Sequence, residues 1–550
     1  MVTRLAGFLD ERDMDFRTSF PSRRSAVMST KGMVATGQPL AAQAGVSMLR
    51  QGGNAVDAAI ATVAALSVVE PMSTGLGGDA FALVYLSRSG ELKALNASGR
   101  APETASLAAL RKLGYRQMPE TGIHTVTVPG ALDGWCTLLD SYGTMSLSRV
   151  LAPAIALAEN GFPVTEIISH TWQKNRAKLQ LDASAARTYL PAERVPAAGE
   201  IFVQSDLAHT LKKIARGGRD VFYRGEIAEA IVACSRENGG LIAPPDLREN
   251  TATWVTPLST SYRGYDVYEC PPNGQGLVVL LVLNILESYD LKSLGHNSPE
   301  YLHRLIEALK LGFADAGRYV ADPDFVDIPL EKLLTGSYAG WRRSLIDRNK
   351  AMLKVEAGNL ETEGDTVYLA VTDNEGNSVS FINSLYQAFG SGIVVAGTGI
   401  CLQNRGSLFS LEAGHPNCIA PGKRPYNTII PGMVFKDGNL FLTFGVMGGF
   451  MQPQGHVQVL LNIIDFGMDV QTALDAPRFR YLQGSECAFE PAVSPGVLRE
   501  LAKKGHHIMA LDDPYSQQFG GGQAIMINPA NGVLIAGSDP RKDGSAIGVW

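Results

Sequence analysis

Midway along the chain, Gly364-Asp365-Thr366 leads into the apolar run Val367-Tyr368-Leu369-Ala370-Val371. A polar, turn-rich segment (EAGNLETE, 356–363) precedes it, and a cluster of turn residues (DNEGN, 373–377) follows it. The next run (SVSFIN, 378–383) alternates polar and apolar side chains, as a strand with one buried face does. The pattern predicts a β-hairpin whose first strand begins at Thr366.

Thr366 is open to two interpretations. Threonine is common in strands because its branched side chain fits a pleated surface, so Thr366 can be an ordinary strand residue. The alternative is chemical, since a threonine hydroxyl becomes a useful nucleophile when a neighbouring base takes its proton. A free α-amine on Thr366 itself can serve as that base. That chemistry requires the peptide bond between Asp365 and Thr366 to be cut.

Composition places the chain among globular proteins. Its 550 residues are 45% apolar and 19% charged, and by length alone about three or four domains are expected. The formal net charge of −6 gives no reason to expect binding to nucleic acid or to an anionic membrane surface.

Cysteine and histidine patterns favour neither a metal site nor a disulfide framework. The six cysteines are scattered, with no pair at CxxC spacing, and the nine histidines include no HExxH motif. The glycine-rich turn at 74–81 lacks the phosphate-binding motifs GxxxxGK[ST] and GxGxxG, so it is interpreted as a tight turn that allows close backbone packing. We therefore expect no metal and no organic cofactor.

Targeting signals are not evident. Residues 1–26 are interpreted as an irregular, charged arm without the apolar core of a signal peptide. The longest apolar run, 276–286, is shorter than the roughly 20 residues that span a bilayer and is predicted to be a buried helix. A cytoplasmic location is the default expectation.

Helical periodicity recurs on both sides of the central stretch. Helices are predicted at 39–50, 54–69, 131–139, 150–159, 276–286, 302–320 and 453–464. Charged residues in the segment 302–320 are interpreted as a solvated or inter-helix face; they are His303, Glu307, Lys310, Asp315 and Arg318. Strands alternate with these helices and dominate after Thr366. The mixture is typical of an α+β protein with helical layers around stacked sheets.

Gly448 and Gly449 lie between a predicted strand (441–446) and the predicted helix at 453–464. Backbone amides there suit an oxyanion hole, because glycines allow close approach and a helix N-terminus favours negative charge. Taken by itself, the pattern is better explained by an ordinary strand-to-helix turn.

From about Ala35 to Gly548 the chain resembles the γ-glutamyltranspeptidases, a family of N-terminal nucleophile hydrolases. The resemblance depends on motifs that occur in a fixed order: 53–59 (GNAVDAA), 76–78 (LGG), 128–130 (VPG), 322–325 (DPDF), 364–366 (GDT), 373–377 (DNEGN), 389–392 (FGSG), 448–449 (GG), 475–478 (DAPR) and 539–541 (DPR).

The resemblance implies a four-layer αββα sandwich and a proenzyme that cuts itself between Asp365 and Thr366. After the arm, residues 27–365 would form a large chain and 366–550 a small chain, together making one composite domain. Thr366 would be the nucleophile, and Gly448 and Gly449 would form the oxyanion hole. Ser384 falls where the family places a hydroxyl near the nucleophile.

Departures from the family pattern bear on the substrate. True γ-glutamyltranspeptidases hold the α-carboxylate and the α-ammonium of a glutamyl group with charged side chains. The corresponding positions here are occupied by Ser98, Tyr386, Arg405, Leu408 and the pair Asn427-Thr428. The acid expected to bind the ammonium is thus replaced, and a cation, Arg405, lies nearby in the sequence.

This pattern is more similar to the oxamate amidohydrolase and glutaryl-cephalosporin acylase branch of the family. An unpaired ammonium next to an arginine would be repelled by roughly 1 to 4 kcal/mol at contact. We therefore expect a small amide that carries a carboxylate, held by Arg405 or Arg100 with bidentate geometry. Tyr386, Asn427 and Thr428 are the other candidate substrate-binding residues.

Two other functions remain open. One is γ-glutamyl hydrolysis or transfer, with a role in glutathione metabolism. The other is a family member without catalysis that acts as a binding protein. The expected partners are a small-molecule amide substrate and the second chain of a processed heterodimer, and further oligomerisation is left open. Nucleic acid and membrane are not expected partners.

Overall fold

The computed structural model describes residues 24–353, 364–509 and 517–550. Most of the predicted N-terminal arm and the polar run at 356–363 lie outside the described residues. Arg24, at the end of that arm, donates hydrogen bonds to the backbone carbonyls of Ser538 and Gly544.

Helices occupy much of both halves of the chain. They are α1 (Pro39–Arg50), α2 (Ala55–Val69), α3 (Leu107–Lys112), α4 (Ala131–Tyr142), α5 (Leu147–Asn160), α6 (Glu166–Lys174), α7 (Arg176–Leu179), α8 (Ala183–Tyr189), α9 (Ser205–Tyr223), α10 (Glu226–Glu237), α11 (Pro244–Glu249), α12 (Gly276–Leu286), α13 (Leu291–Leu294), α14 (Pro299–Tyr319), α15 (Leu330–Leu333), α16 (Gly336–Ser344), α17 (Met451–Ile464), α18 (Val470–Asp475) and α19 (Pro495–Lys503).

The strands are β1 (Val27–Ser29), β2 (Met33–Thr36), β3 (Asp79–Leu86), β4 (Glu91–Ala97), β5 (Phe162–Pro163), β6 (Ile201–Phe202), β7 (Thr253–Val255), β8 (Leu258–Tyr262), β9 (Tyr265–Glu269), β10 (Asp365–Thr372), β11 (Ser378–Tyr386), β12 (Val394–Val395), β13 (Ile400–Cys401), β14 (Gly432–Lys436), β15 (Asn439–Val446), β16 (Phe479–Gln483), β17 (Glu486–Phe489), β18 (His507–Met509), β19 (Gly522–Ile527), β20 (Leu534–Ser538) and β21 (Ser545–Gly548).

Two seven-stranded antiparallel sheets form the centre of the molecule. One has the strand order β1-β20-β19-β15-β14-β9-β8 and the other β21-β2-β10-β11-β3-β4-β7. A core of side chains from both sheets fills the space between them. A second core covers the outer face of the β10 sheet with α1, α2, α4, α5 and α9, and a third covers the outer face of the β15 sheet with α12, α14 and α17. The four-layer αββα sandwich is therefore confirmed.

Strand β10 shows how the sequence produces these layers. Val367, Leu369 and Val371 point into the helical core, whereas Tyr368 and Ala370 point between the sheets. Both faces of the strand are buried, which explains why its sequence is a continuous apolar run. The predicted hairpin is present, although its first strand begins at Asp365, one residue earlier than expected.

Both sheets mix strands from the two predicted chains. In the sheet of β10, strands β2, β3, β4 and β7 precede the junction at 365–366, whereas β10, β11 and β21 begin at or after it. Each of the three cores therefore contains residues from both predicted chains. The chain boundaries themselves stay a prediction.

Local sequence signals placed the helices well. Asn54 caps α2, with its side chain accepting from Val56 and Asp57, and Asp57 closes a capping box. The predicted buried helix at 276–286 is α12, of which only Asn284 is partly exposed. Among the described residues, no helix combines the length and the apolarity needed to cross a membrane.

The interpretation of the charged face of α14 as solvated holds for Arg318, which is exposed, and is wrong for the four other residues, which are buried. The inter-helix alternative is correct for Asp315, which pairs with Arg342 of α16 at 2.9 Å. His303, Glu307 and Lys310 are fully buried. Lys310 Nζ lies 2.7 Å from Glu307 Oε1, and His303 Nδ1 lies 2.8 Å from His506 Nε2. Three of these side chains (His303, Glu307 and His506) bring potential metal ligands within 4.8 Å of one another. The ammonium of Lys310 already neutralises Glu307, so the cluster is a paired structural group.

Candidate active site

A β-bulge lies at Thr366. Asp365 pairs with Tyr386 and Val367 pairs with Asn383, so Ser384 and Leu385 together oppose the single residue Thr366. Bulges re-aim side chains and occur often beside active sites. Here the bulge brings the hydroxyls of Thr366 and Ser384 to 3.1 Å from each other, and both residues are buried.

Hydrogen bonds orient the two hydroxyls toward the bond that is predicted to break. Ser384 Oγ donates to the carbonyl oxygen of Asp365 at 2.9 Å and accepts from the backbone N–H of Tyr386 at 2.8 Å. A serine hydroxyl has one hydrogen, so Thr366 must donate its own to Ser384. The Thr366 oxygen is thus held next to the Asp365 carbonyl, whose oxygen already has a donor.

Tyr386 has a backbone φ of +80°, a conformation that non-glycine residues rarely adopt. Its N–H is bonded to Ser384, and its ring lies under the guanidinium of Arg405, 4.8 Å from the ring centroid. Strain of this kind persists where surrounding contacts impose it, often at functional sites. Tyr386 connects Arg405 to the hydroxyl pair.

Gly448 and Gly449 lie between β15 and α17, as predicted, with φ of +117° and +61°. Neither backbone N–H donates to an acceptor within the part of the chain that the structure describes. Gly364 packs directly on the pair, since a Cβ added to Gly364 would lie 2.5 Å from Gly449 Cα. In the uncut chain, the residue two positions before the predicted cleavage therefore covers these two amides.

Arg405 is completely buried. Its Nη1 donates to Thr428 Oγ1 at 2.7 Å, whereas Nε and Nη2 donate to no described acceptor. Burial lowers the pKa of Arg405 to about 10, although Asp79 opposes this effect, so the side chain stays cationic near neutral pH. A buried guanidinium with two unfilled nitrogens is expensive to desolvate, and a bound carboxylate would fill both.

The acid of the family pattern is replaced in the sequence, but another carboxylate, Asp79, lies beside this cation. Asp79 Oδ2 lies 3.7 Å from Arg405 Nε, close enough for charge attraction but beyond hydrogen-bond length. The Asp79 carboxylate accepts from Gly99 N, Gln403 Nε2 and Asn427 Nδ2 instead. Burial raises the pKa of Asp79 to about 6, because it outweighs the attraction of Arg405. The sequence did not reveal this pairing, because the two residues are 326 positions apart.

The predicted substrate-binding residues Asn427 and Thr428 contact the two members of this ion pair: Asn427 contacts Asp79, and Thr428 contacts Arg405. Thr428 accepts from Arg405, and its carbonyl oxygen accepts from Gln275 Nε2 at 2.6 Å. The same Gln275 nitrogen donates to the carbonyl oxygen of Gly449 at 2.9 Å. A continuous chain of buried contacts therefore connects the arginine site to the glycine pair.

Arg100 lies apart from this group. Its guanidinium pairs with Asp324 at 2.9 Å and with Asp322 at 3.4 Å, and about a third of the side chain is exposed. Those carboxylates already satisfy the charge, and no described contact joins Arg100 to Thr366, Arg405 or the glycine pair. Of the two predicted carboxylate anchors, Arg405 is the one that contacts the other candidate residues.

A second charged group surrounds the Asp365 side chain, and the sequence did not predict it. Asp365 Oδ1 accepts from Ser73 Oγ at 2.8 Å and lies 3.2 Å from Lys542 Nζ. Glu70 Oε1 lies 3.1 Å from the same lysine and accepts from Ser73 at 2.9 Å. Lys542 directly follows the motif at 539–541, which was the available signal, but its contact with Asp365 spans 177 positions.

Comparison with known proteins decides which family these features belong to. The family model described as gamma-glutamyltranspeptidase matches residues 41–549. The chain belongs to the γ-glutamyltranspeptidase family. The family predicted from the ordered motifs is thus confirmed.

The relatives of this chain have names that record different substrates. The chain is 40% identical to a glutathione hydrolase-like YwrD proenzyme of Bacillus subtilis (strain 168), over 95% of this chain and 99% of that protein. It is 35% identical to an oxamate amidohydrolase proenzyme of Klebsiella pneumoniae subsp. pneumoniae, over the same shares. The crystal structure of a cephalosporin acylase from Bacillus halodurans superposes with a TM-score of 0.91 at 45% identity, covering 96% and 98% of the two chains. The protein is therefore an enzyme of amide-bond hydrolysis or transfer.

Proposed function

We propose that this γ-glutamyltranspeptidase relative is a self-processing amidohydrolase whose N-terminal nucleophile is Thr366. It hydrolyses the amide bond of a small substrate that carries a carboxylate, such as an oxamate-like or glutaryl-like amide. Two features support the proposal: the buried hydroxyl pair at the Asp365 carbonyl, and the open donors of Arg405 next to it.

The chemistry proceeds through an acyl-enzyme. Once Thr366 is a chain terminus, its α-amine takes the hydroxyl proton, and the oxygen attacks the substrate carbonyl carbon. The amides of Gly448 and Gly449 then stabilise the oxyanion, since their N–H groups have no described acceptor. The amine leaves with a proton, and water releases the acid from the ester. Ser384 holds the nucleophile through its 3.1 Å contact.

Arg405 is the reason why the proposed substrate carries a carboxylate. Its two unfilled nitrogens match the two oxygens of a carboxylate, and a bidentate pair in a buried site gives both affinity and orientation. Tyr386 fixes the plane of the guanidinium through its ring. Because Asp79 already uses its oxygens for other donors, it balances the charge of Arg405 without filling those nitrogens.

Matched substrates test this assignment. Glutaryl, oxamyl and γ-glutamyl amides are compared with their methyl esters, which lack the negative charge, using wild type, Arg405→Met and the control Arg100→Met. We expect Arg405→Met to reduce kcat/KM on the acids by about 100-fold and to affect the esters little, in line with roughly 2 to 3 kcal/mol for a charged hydrogen-bonded contact. Equal losses on acids and esters, or a loss with Arg100→Met alone, would remove Arg405 from the substrate site.

γ-Glutamyl hydrolysis is the second candidate. Asp79 favours it, because an acid beside Arg405 is the arrangement that an α-amino acid head group needs. The chain is also 35% identical to a glutathione hydrolase proenzyme of Escherichia coli (strain K12) over 94% of its length. Release of the amine from a γ-glutamyl anilide, at a rate above that for the glutaryl anilide, would make this the primary activity.

Self-processing is tested on a denaturing gel. Two fragments of roughly 40 and 20 kDa, estimated at about 110 Da per residue, are expected in place of one band at 58.8 kDa. A single band from folded protein that hydrolyses amides at full rate would refute the N-terminal nucleophile. A single band with no activity would support a non-catalytic binding protein.

A further inference from the structure

The Asp365 side chain occupies a buried pocket that faces the peptide bond before Thr366. Three hydrogen-bond donors converge on Asp365 Oδ1: Thr366 N at 3.0 Å, Ser73 Oγ at 2.8 Å and Lys542 Nζ at 3.2 Å. The second carboxylate oxygen, Oδ2, is buried and has no hydrogen-bond partner among the described residues. The side chain is therefore fixed by one oxygen, which lies next to the nitrogen that cleavage must release.

We propose that Glu70, Ser73 and Lys542 form a carboxylate pocket that positions Asp365 for self-cleavage, so that Asp365 carries a proton to the Thr366 nitrogen. The inference rests on the proposed function, because it concerns the step that produces the N-terminal nucleophile. Asp365 is the catalytic residue of that step, since it touches the reacting nitrogen. The other three residues act through it.

The bond changes are balanced. Thr366 Oγ forms a bond to the Asp365 carbonyl carbon, and the bond from that carbon to the Thr366 nitrogen breaks. The hydroxyl proton passes to the Asp365 carboxylate and from there to the nitrogen, which gives an ester and a free amine. Water then hydrolyses the ester, releasing a new α-carboxylate on Asp365 and restoring the Thr366 hydroxyl. Ser384 donates to the carbonyl oxygen throughout, where negative charge develops.

A proton carrier is needed at the nitrogen. An amide nitrogen is a poor leaving group until it is protonated, and general acid catalysis of this kind contributes about 10² to 10⁴ in rate. Asp365 Oδ1, at 3.0 Å from the nitrogen, lies within the range for direct transfer. A flanking asparagine would keep the hydrogen bond but could not pass the proton on.

Two further charged side chains and one hydroxyl surround the Asp365 carboxylate. Lys542 lies between Glu70 and Asp365, so one cation serves two acids, and Ser73 has one hydrogen for both. Burial raises the pKa of Glu70 to about 6, with the charge of Asp365 adding to the effect and Lys542 opposing it. For Lys542, burial lowers the pKa, but the two acids outweigh it and hold the pKa above its usual value. The pocket thus holds one buried cation between two carboxylates.

Cleavage kinetics of the newly made full chain test the proposal. Labelled protein is synthesised in a cell-free system, synthesis is stopped, and loss of the 58.8 kDa band is followed with time. We expect Asp365→Asn to slow cleavage by about 100-fold and Lys542→Met by at least about 10-fold, whereas Lys542→Arg stays within about 3-fold of wild type. Thr366→Ala, which cannot cut, provides the reference melting temperature for a folded, uncut chain.

Chemical rescue separates proton transfer from a structural role. Asp365→Ala leaves space where the carboxylate was, and formate or acetate is added to the folded precursor. We expect these acids to accelerate cleavage at least about 10-fold over chloride at equal ionic strength, and to fail when Lys542→Met is also present. Wild-type cleavage by Asp365→Asn, or no rescue of a folded Asp365→Ala precursor, would overturn the proposal. Neither result would affect the proposed function, which is tested separately by cleavage of the wild-type chain and by its activity on acids and esters.

Discussion

Two buried cations lie within a few contacts of Thr366, and their unfilled atoms differ in kind. Arg405 has two nitrogens without a described acceptor, while its partner Asp79 has both oxygens in use. Lys542 is surrounded by acceptors, and the unfilled atoms there are oxygens of Glu70 and Asp365. The first region has a surplus of donors and the second a surplus of acceptors.

This difference assigns the two regions to different tasks. A surplus of buried donors is relieved by an incoming anion, which fits a substrate carboxylate. A surplus of buried carboxylate oxygens is relieved by protons, which fits a group that exchanges them during cleavage of the chain. Thr366 and Ser384 lie between the regions, because Ser384 contacts Tyr386 on one side and the Asp365 carbonyl on the other.

The largest effect is expected from Thr366→Ala, which removes the oxygen that both regions serve. Chain cleavage and amide hydrolysis should both be abolished, a loss of at least about 10⁴-fold in kcat, because the substitution removes the proposed nucleophile of both reactions. A denaturing gel and an amide-hydrolysis assay measure the two losses. Retained turnover in this variant would show that Thr366 is not the nucleophile that both regions serve.

Ser384→Ala should weaken both reactions, since its hydroxyl contacts both the nucleophile and the scissile carbonyl. We expect each rate to fall by about 10² to 10³, the usual effect of deleting one donor to a developing oxyanion. Ser384→Thr keeps the hydroxyl and is the matched control. A loss confined to chain cleavage would show that Ser384 acts only together with the region around Asp365 and Lys542.

The sequence correctly predicted the features that depend on residues close together along the chain. The hairpin, α2 with its cap, the buried α12 and the glycine pair all follow from spacing within a few residues. The family followed from the order of its motifs. What the sequence missed depends on contacts between distant segments: Asp79 with Arg405, and Glu70, Ser73 and Lys542 with Asp365. The burial of His303 on α14 was missed for the same reason, because its partner His506 is 203 positions away.

The next largest effect is expected in the region around Arg405 and Asp79, where the free energy of unfolding should depend on pH. Burial raises the pKa of Asp79 from 3.8 to about 6, so between these values the unfolded chain has lost a proton that the folded chain retains. Stability contributed by protonated Asp79 is present at low pH and is lost as pH rises through about 6. In the uncut Thr366→Ala background, the free energy of unfolding relative to Asp79→Asn should fall by about 3 kcal/mol from pH 4 to pH 6.5. Denaturant unfolding at a series of pH values measures this, and a difference that does not change with pH would show that Asp79 titrates normally.

The smallest effect is expected from Glu70→Gln in the same background. Burial raises the pKa of Glu70 from 4.5 to about 6, a shorter interval than for Asp79, so the corresponding fall is about 2 kcal/mol and occurs between those two values. The sign is the same, because in both cases the folded chain retains a proton that the unfolded chain has released. Adding Lys542→Met should enlarge the fall, since it removes the cation that favours the ionised form. If Lys542→Met leaves the pH dependence unchanged, the charge of the lysine does not lower the pKa of Glu70. The region around Lys542 would then lack the charge balance that distinguishes it from the region around Arg405.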